Sequence, residues 1–297
     1  MTNLSNQLNL NSIAPIVWRG LRLKIPIQKN NSMFPANLVL GTQSWTAEGW
    51  EHAFYPKGLD RKHWITYYSG IYNAVEIDST FYAIPRRSTV QSWRENTRDG
   101  FFFAAKMVQT ITHEKRLQGV KKELDVFLST IGELKEKLAV ILIQLPYYNK
   151  KAFENYDAFH EGLNGFLEML PKEFRFAVEV RNRQYLQKSL FDTLKRHNIA
   201  YTLQDIRYMP PPAEVMSMND VVTSDFAYCR LIGDREGIEA ETQVFDKEVW
   251  PREKELADWA SILIRLSNQV QKVFAFINNH YSGFAPGTLA RLKAAMG

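Results

Sequence analysis

Eight short apolar runs, each followed by a stretch of helical periodicity, constrain this chain more than any other feature. The runs are 38–45 (LVLGTQSW), 74–77 (AVEI), 101–107 (FFFAAKM), 139–146 (AVILIQLP), 174–181 (FRFAVEVR), 199–205 (IAYTLQD), 226–233 (FAYCRLIG) and 272–279 (KVFAFINN). Most are apolar at both odd and even positions, the mark of a strand covered on both faces. Between them lie spacings of three and four, as in Leu124, Phe127, Leu128, Ile131 and Leu134, which read as one face of a helix. Strands alternating with helices over a chain of 297 residues predict an α/β fold, a single closed (β/α)₈ barrel of the TIM type. An open doubly wound sheet is the alternative.

Local signals place the helices. Asp60 is positioned to cap a helix running to Tyr72, and Ser88 one running through Trp93. Thr288 opens the last helix. Pro210, Pro211 and Pro212 mark the span from Ile206 to Ser224 as loop with at most a short helix. About twenty polar residues follow Gly233, long enough to expect a functional cover. Residues 1–36 are rich in Asn, Ser and Gln and read as an extension, partly disordered or strapped on, ahead of a barrel domain at 37–297.

Composition narrows the setting. Net charge is +5, which permits a phosphate-bearing or nucleic-acid partner without requiring one. The single cysteine, Cys229, rules out an intrachain disulfide and suits a reducing compartment. No basic start with an apolar run and no membrane-length segment occurs, so the chain reads as cytoplasmic, with no membrane and no obligate protein partner.

Most strands carry a polar residue near their end, where a barrel of this type builds its site. Glu76, Lys106, Gln144, Glu179, Arg181, Gln204, Arg230, Asn278 and Asn279 are in that position, with Ser44, Asp78 and Asp205. Alternation puts Lys106 on one face with Ala104, and Glu179 with Ala177 and Arg181. One reading is that Glu76 with Lys106, and Glu179 with Arg230, are ion pairs filling the lumen. The other is a binding pocket, since buried ion pairs add little net stability. In that pocket Glu76 or Glu179 is the acid–base, Lys106 and Arg230 are charge clamps, and Asn278 and Asn279 orient the ligand. A strand-end lysine is also a place for imine chemistry if its pKa is lowered; a neighbouring Glu76 would raise it, so an ionic role for Lys106 is preferred. No HxH, HExxH or clustered carboxylate spacing marks a metal site. The six histidines are scattered, with only His113 and His280 in βα loops. No Walker loop, GxGxxG or GxSxG occurs, and no cofactor is named by any motif.

The segments GTQSW, FYP, VEIDSTFYAIP, FFFAAKM with ITH, LIQLP, FAVEVRN, YCRLIG and FINNHYSGFAP, in this order, closely resemble the YecE-like family, domain of unknown function 72, over about residues 38–290. The resemblance implies a single (β/α)₈ barrel and no established reaction. It carries over onto Trp45, Glu76, Ser79, Thr80, Phe81, Tyr82, Lys106, Thr112, His113, Gln144, Glu179, Arg181, Arg230, Asn278 and Asn279. Asp78 stands where many members have Asn. At the level of fold alone the family is similar to barrel-type apurinic endonucleases and sugar isomerases, which leaves a nucleic-acid-binding protein or nuclease as the rival reading. The expectation favoured here is a metal-independent enzyme binding a small polar, anionic or sugar-like ligand. Its catalytic groups are Glu76, Lys106 and Glu179, and its ligand contacts are Trp45, Tyr82, His113, Gln144, Arg181, Arg230, Asn278 and Asn279.

Overall fold

The structure, a computed structural model, describes residues 13–18, 21–26 and 34–297. Strands β1 (Ile13–Trp18) and β2 (Leu21–Pro26) form an antiparallel two-stranded sheet. Residues 1–12, 19, 20 and 27–33 of the expected extension lie outside the described residues.

The eight apolar runs become eight parallel strands: β3 (Leu38–Gln43), β4 (Ala74–Ile77), β5 (Phe102–Lys106), β6 (Leu138–Gln144), β7 (Phe176–Glu179), β8 (Ala200–Ile206), β9 (Phe226–Gly233) and β10 (Lys272–Ile277). Neighbours pair in sequence order and β10 closes onto β3, so the sheet is a barrel rather than an open sheet. The pairing has a physical source in the double-sided apolar pattern. Leu40, Val75, Phe103, Ile141, Val178, Leu203, Cys229 and Ala275 point outward into the core beneath the helices. Val39, Ala74, Ala104, Val140, Leu142, Ala177, Phe226, Tyr228, Phe274 and Phe276 point inward and form a second, smaller cluster in the lumen. Closure between β3 and β4 needs Gly41. A Cβ there would lie 2.1 Å from the Ala74 carbonyl oxygen and 3.2 Å from the Phe276 ring.

The outer layer contains α1 (Trp64–Ile71), α2 (Ser79–Tyr82), α3 (Arg87–Glu95), α4 (Lys121–Ile131), α5 (Tyr156–Glu168), α6 (Lys188–Arg196), α7 (Pro212–Met218), α8 (Arg235–Glu241), α9 (Glu253–Ser267) and α10 (Ala285–Ala295). Asp60 accepts from Lys62 N and caps the 3₁₀ turn leading into α1. Ser88 does not cap α3: it lies inside the helix, and Arg86 at the cap position offers no side-chain bond. The last helix begins at Ala285 rather than Thr288, with Pro286 in its first turn, where a missing N–H costs nothing. Thr288 Oγ1 instead donates back to Phe284 O. The polar stretch after Gly233 is partly ordered as α8, capped by Asp234 on Gly237 N. Its later part is tied down where Val249 N and Trp250 N donate to Ser282 O and Glu248 accepts from Ser282 Oγ. Among the described residues no helix is long and apolar enough to cross a membrane.

Candidate functional site

Inward alternation brings one polar side chain from each strand to the C-terminal mouth: Gln43, Glu76, Lys106, Gln144, Glu179, Gln204, Arg230 and, one residue past β10, Asn278. Cross-strand register levels several of these, with Gln43 opposite Glu76, Gln144 opposite Glu179 and Gln204 opposite Arg230. They sort into two tiers according to how many of their hydrogen bonds are already made.

The lower tier is centred on Arg230, which is 2% exposed. Its Nε donates to Glu76 Oε2 at 3.0 Å and its Nη2 to Glu76 Oε1 at 2.7 Å. Nη1 donates to Glu179 Oε2 at 2.5 Å, and Nη2 also reaches Gln43 Oε1 at 3.1 Å. Tyr228 Oη adds a bond to Glu76 Oε2 at 2.6 Å. Arg181 Nε donates to Glu179 Oε1 at 2.9 Å. Both carboxylates are fully buried. One guanidinium therefore serves two dry carboxylates, and their affinities for protons are driven apart. Burial raises the Glu76 pKa, and Arg230 and Tyr228 offset this only in part, with Asp78 adding to the rise. Burial acts on Glu179 too, but Arg230 and Arg181 together outweigh it and hold its pKa below the usual value. The same glutamates hold Arg230 as a cation against its own burial.

This overturns one expected pairing. Glu76 faces Arg230 and Tyr228, not Lys106, because Glu76 is level with Ala104 on β5 and Lys106 lies two residues further toward the mouth. Lys106 Nζ lies 3.6 Å from Asp78 Oδ1 and 4.1 Å from the centre of the Phe81 ring. It makes no hydrogen bond among the described residues, although its side chain is only 12% exposed. Burial lowers its pKa, more than Asp78 raises it. The pairing of Glu179 with Arg230 is present.

The upper tier is left open. Gln144 is 4% exposed and its side-chain amide makes no hydrogen bond among the described residues, though the amide atoms are not sealed from solvent. Arg181 uses only Nε, so its terminal nitrogens are unengaged there. Asp78 Oδ1 and Gln204 Oε1 are buried acceptors without a donor, while Gln204 Nε2 donates to Val180 O at 2.6 Å. His113 lies in a single π-helical turn, Thr110–Glu114. Its Nδ1 is 2.8 Å from Thr112 Oγ1 and its ring meets Phe81 edge-on at 4.8 Å. Burial, with Lys106 and Arg181 nearby, lowers its pKa to about 4, so the imidazole is neutral at pH 7. Thr80 Oγ1 fixes α2 to the mouth, 2.7 Å from Lys106 O and 2.8 Å from Ile77 O.

Other expected contacts sit elsewhere. Trp45 is buried edge-on against Trp93 at 5.6 Å. Tyr82 is 71% exposed on the rim. Asn279 Oδ1 is occupied by Trp50 Nε1 at 3.1 Å and Ala285 N at 3.0 Å, so it secures the start of α10. Asn278 donates to Gln43 Oε1 at 2.8 Å and accepts from His280 N at 2.9 Å, which joins it to the lower tier. Asp205 points outward to Trp259 Nε1 at 3.3 Å. Gln43 and Tyr228 were missed from sequence. Strict alternation through Val39, Gly41 and Gln43 points to the first, whereas Ser44, the residue named at this strand end, lies just past β3. Tyr228 reads as core filler until its hydroxyl is seen on Glu76. Among the described residues, no three His, Cys, Asp or Glu side chains gather as a metal would need.

A surface hollow of about 500 Å³ lies at the opposite end of the barrel, bounded by Lys195, Asp220 and Gln269. Its charged pair, Lys195 with Asp220 at 3.0 Å, is already matched, which leaves the mouth as the stronger candidate.

Comparison with known proteins agrees with the barrel. Over 122 residues the chain is 34% identical to the UPF0759 protein YecE of Escherichia coli K12; the match covers 41% of this chain and 42% of that protein. A crystal structure of a DUF72 family protein from Thermotoga maritima superposes with a TM-score of 0.70 at 24% identity, over 86% of this chain and 98% of the other. One from Enterococcus faecalis gives 0.63 at 20% identity, over 87% and 97%. At those identities the structures speak for the fold alone. The model of the family "Protein of unknown function DUF72" matches residues 39–297, and the chain belongs to that family.

Proposed function

We propose that the mouth binds a small polar molecule carrying an acidic group, and that the protein acts on it as a metal-independent enzyme. The observation that supports this is the contrast between the tiers. Below, every charge has a partner; directly above, Lys106, Arg181 and Gln144 hold donors with none. These donors are not sealed from water, so a ligand acceptor would replace solvent there, and each bond gained is worth about 0.5–1.5 kcal/mol, or about 1.5–3 kcal/mol where the donor is charged. Arg181 is the anion contact, because a guanidinium held at Nε presents its remaining edge as a fork to a carboxylate or phosphate. Gln144 orients the ligand's hydroxyl or carbonyl oxygens. Lys106, Asp78 and the neutral His113 are the groups placed to react or to move a proton. Glu76, Glu179 and Arg230, expected from sequence to meet the ligand, act here as positioning residues that fix Arg181 and the floor.

The test is a ligand-observed NMR screen with hydroxycarboxylates and sugar phosphates. A hit should bind at least tenfold more weakly to Arg181→Gln, a loss of about 1.4 kcal/mol, with no change in thermal stability large enough to explain it. Binding indifferent to Arg181→Gln and to Gln144→Leu would overturn the reading.

A further inference from the structure

Lys106 is a cation that the mouth does little to keep charged. Both oxygens of Glu76, the acid expected beside it, are taken by Arg230 and Tyr228. The nearest opposite charge, Asp78 Oδ1 at 3.6 Å, lies beyond hydrogen-bonding distance. On another side stands the Phe81 ring at 4.1 Å. A ring face attracts an ammonium, but it offers no lone pair to replace the hydrogen bonds of lost water. The charged groups facing Lys106 are Asp78 and Glu76 from β4 and its loop, Glu179 from β7 and Arg230 from β9, with His113 on its own loop. Burial and Arg230 favour the free amine, the three acids oppose them, and the balance falls on the side of the amine relative to an ordinary lysine.

Resting on the reading that this mouth holds a small anionic ligand, we propose that Lys106 Nζ is a nucleophile that forms an imine with an aldehyde or ketone bearing an acidic group. The acidic group lies on Arg181, which brings the carbonyl carbon to Nζ. The nitrogen lone pair forms the C–N bond as the carbonyl π pair moves to oxygen. A proton passes from nitrogen to that oxygen, giving a carbinolamine. The hydroxyl then leaves as water, taking one further proton, and the nitrogen loses its second proton as C=N forms. Asp78 is the carrier for these transfers, since its Oδ1 is buried, lacks a donor and is adjacent to Nζ. One carbonyl and one amine give one imine and one water, so no oxidant or reductant is consumed. The bound imine is an electron sink for breaking or making a bond next to the former carbonyl.

The test uses the full chain with glyoxylate, an aldehyde carrying a carboxylate, and cyanoborohydride at pH 7, followed by peptide mapping. Hydride reduction of the imine leaves a carboxymethyl group on the nitrogen. Lys106 should be modified at least tenfold faster than any surface lysine in the same molecule, and its rate should level off at a lower pH than theirs. Lys106→Arg should lose that adduct and leave the others unchanged. Two controls separate this inference from the reading beneath it. Oxalate binding is followed by NMR, and acetaldehyde replaces glyoxylate. If oxalate binds and needs Arg181, but Lys106 is trapped no faster than surface lysines, the imine is wrong and the anion site stands. If Lys106 is trapped rapidly by both aldehydes, with no effect of Arg181→Gln, the imine stands and the anion site is wrong. Neither binding nor selective trapping overturns both.

Discussion

The two tiers of the barrel mouth hold similar side chains and make opposite use of them. Arg230 in the lower tier and Lys106 in the upper are both cations from strand ends, both mostly buried, with Glu76 and Asp78 among their neighbours. Arg230 donates to three side chains, two of them carboxylates. Lys106 Nζ makes no hydrogen bond among the described residues and has one loose ion pair. Burial of charge therefore does not by itself mark a site. What separates lumen filling from ligand binding is whether the hydrogen-bonding capacity has been met within the fold. Of the two expected lumen ion pairs, Glu179 with Arg230 is part of the lower tier, and the upper tier is where the proposed pocket lies.

Removing Arg230 should break this contrast most strongly. Arg230→Met leaves Glu76 buried without a counterion and Glu179 with Arg181 alone, and losing one partner of a buried pair costs about 3–5 kcal/mol. Urea unfolding should show that loss with an unchanged slope. A loss under about 1 kcal/mol would mean that water or rearrangement already serves Glu76 and Glu179. Next in size is Gly41→Ala. Its new Cβ would meet the Ala74 carbonyl at 2.1 Å, a backbone atom fixed in the β3–β4 pairing, so about 1–3 kcal/mol should be lost to overpacking. A fully stable Gly41→Ala would show that β3 and β4 can separate without disturbing the floor.

The barrel was legible because double-sided apolar runs and intervening helical periods admit few arrangements, and all eight runs became strands. Alternation also placed Lys106 with Ala104 and Glu179 with Ala177 on the lumen side. Partner choice was not legible. Whether Glu76 meets Lys106 or Arg230 depends on height within the barrel and on the shear between strands, and neither is written in the spacing of a single strand. Asn278 and Asn279 show the same limit. Adjacent and chemically identical, they face opposite ways, one to Gln43 in the lumen and the other to Trp50 and the start of α10. The helix starts at Ser88 and Thr288 failed for a local reason: a hydroxyl residue near a helix start caps only at the boundary itself, and both sit inside the helix.

Lys106→Met sharpens the comparison by its small expected effect. Methionine matches the lysine stem in length and buries no charge, so the loss of one loose ion pair and one ring contact is offset by the desolvation it relieves. Stability should change by no more than about 1 kcal/mol in either direction. A loss of 3 kcal/mol or more would put Lys106 in the lower tier and remove the main support for an open upper one.

The smallest expected effect reads the upper tier from a neighbour. His113 is held near pKa 4 by burial, by Lys106 and by Arg181, whereas an unfolded histidine titrates near 6.5. Its folded value is depressed, so between these values the unfolded chain takes up a proton that the folded chain refuses. The resulting contribution to stability is complete above about pH 6.5 and is lost as pH falls toward 4. His113→Gln should therefore flatten the decline of stability across that window and leave stability near pH 7.5 little changed. In the parent protein the imidazole NMR signals of His113 should stay those of the neutral ring down to pH 5. Lys106→Met should move the midpoint upward, because one of the repelling charges is gone. Were the midpoint unmoved, the charge on Lys106 would not be felt at His113, and the two would not share a site.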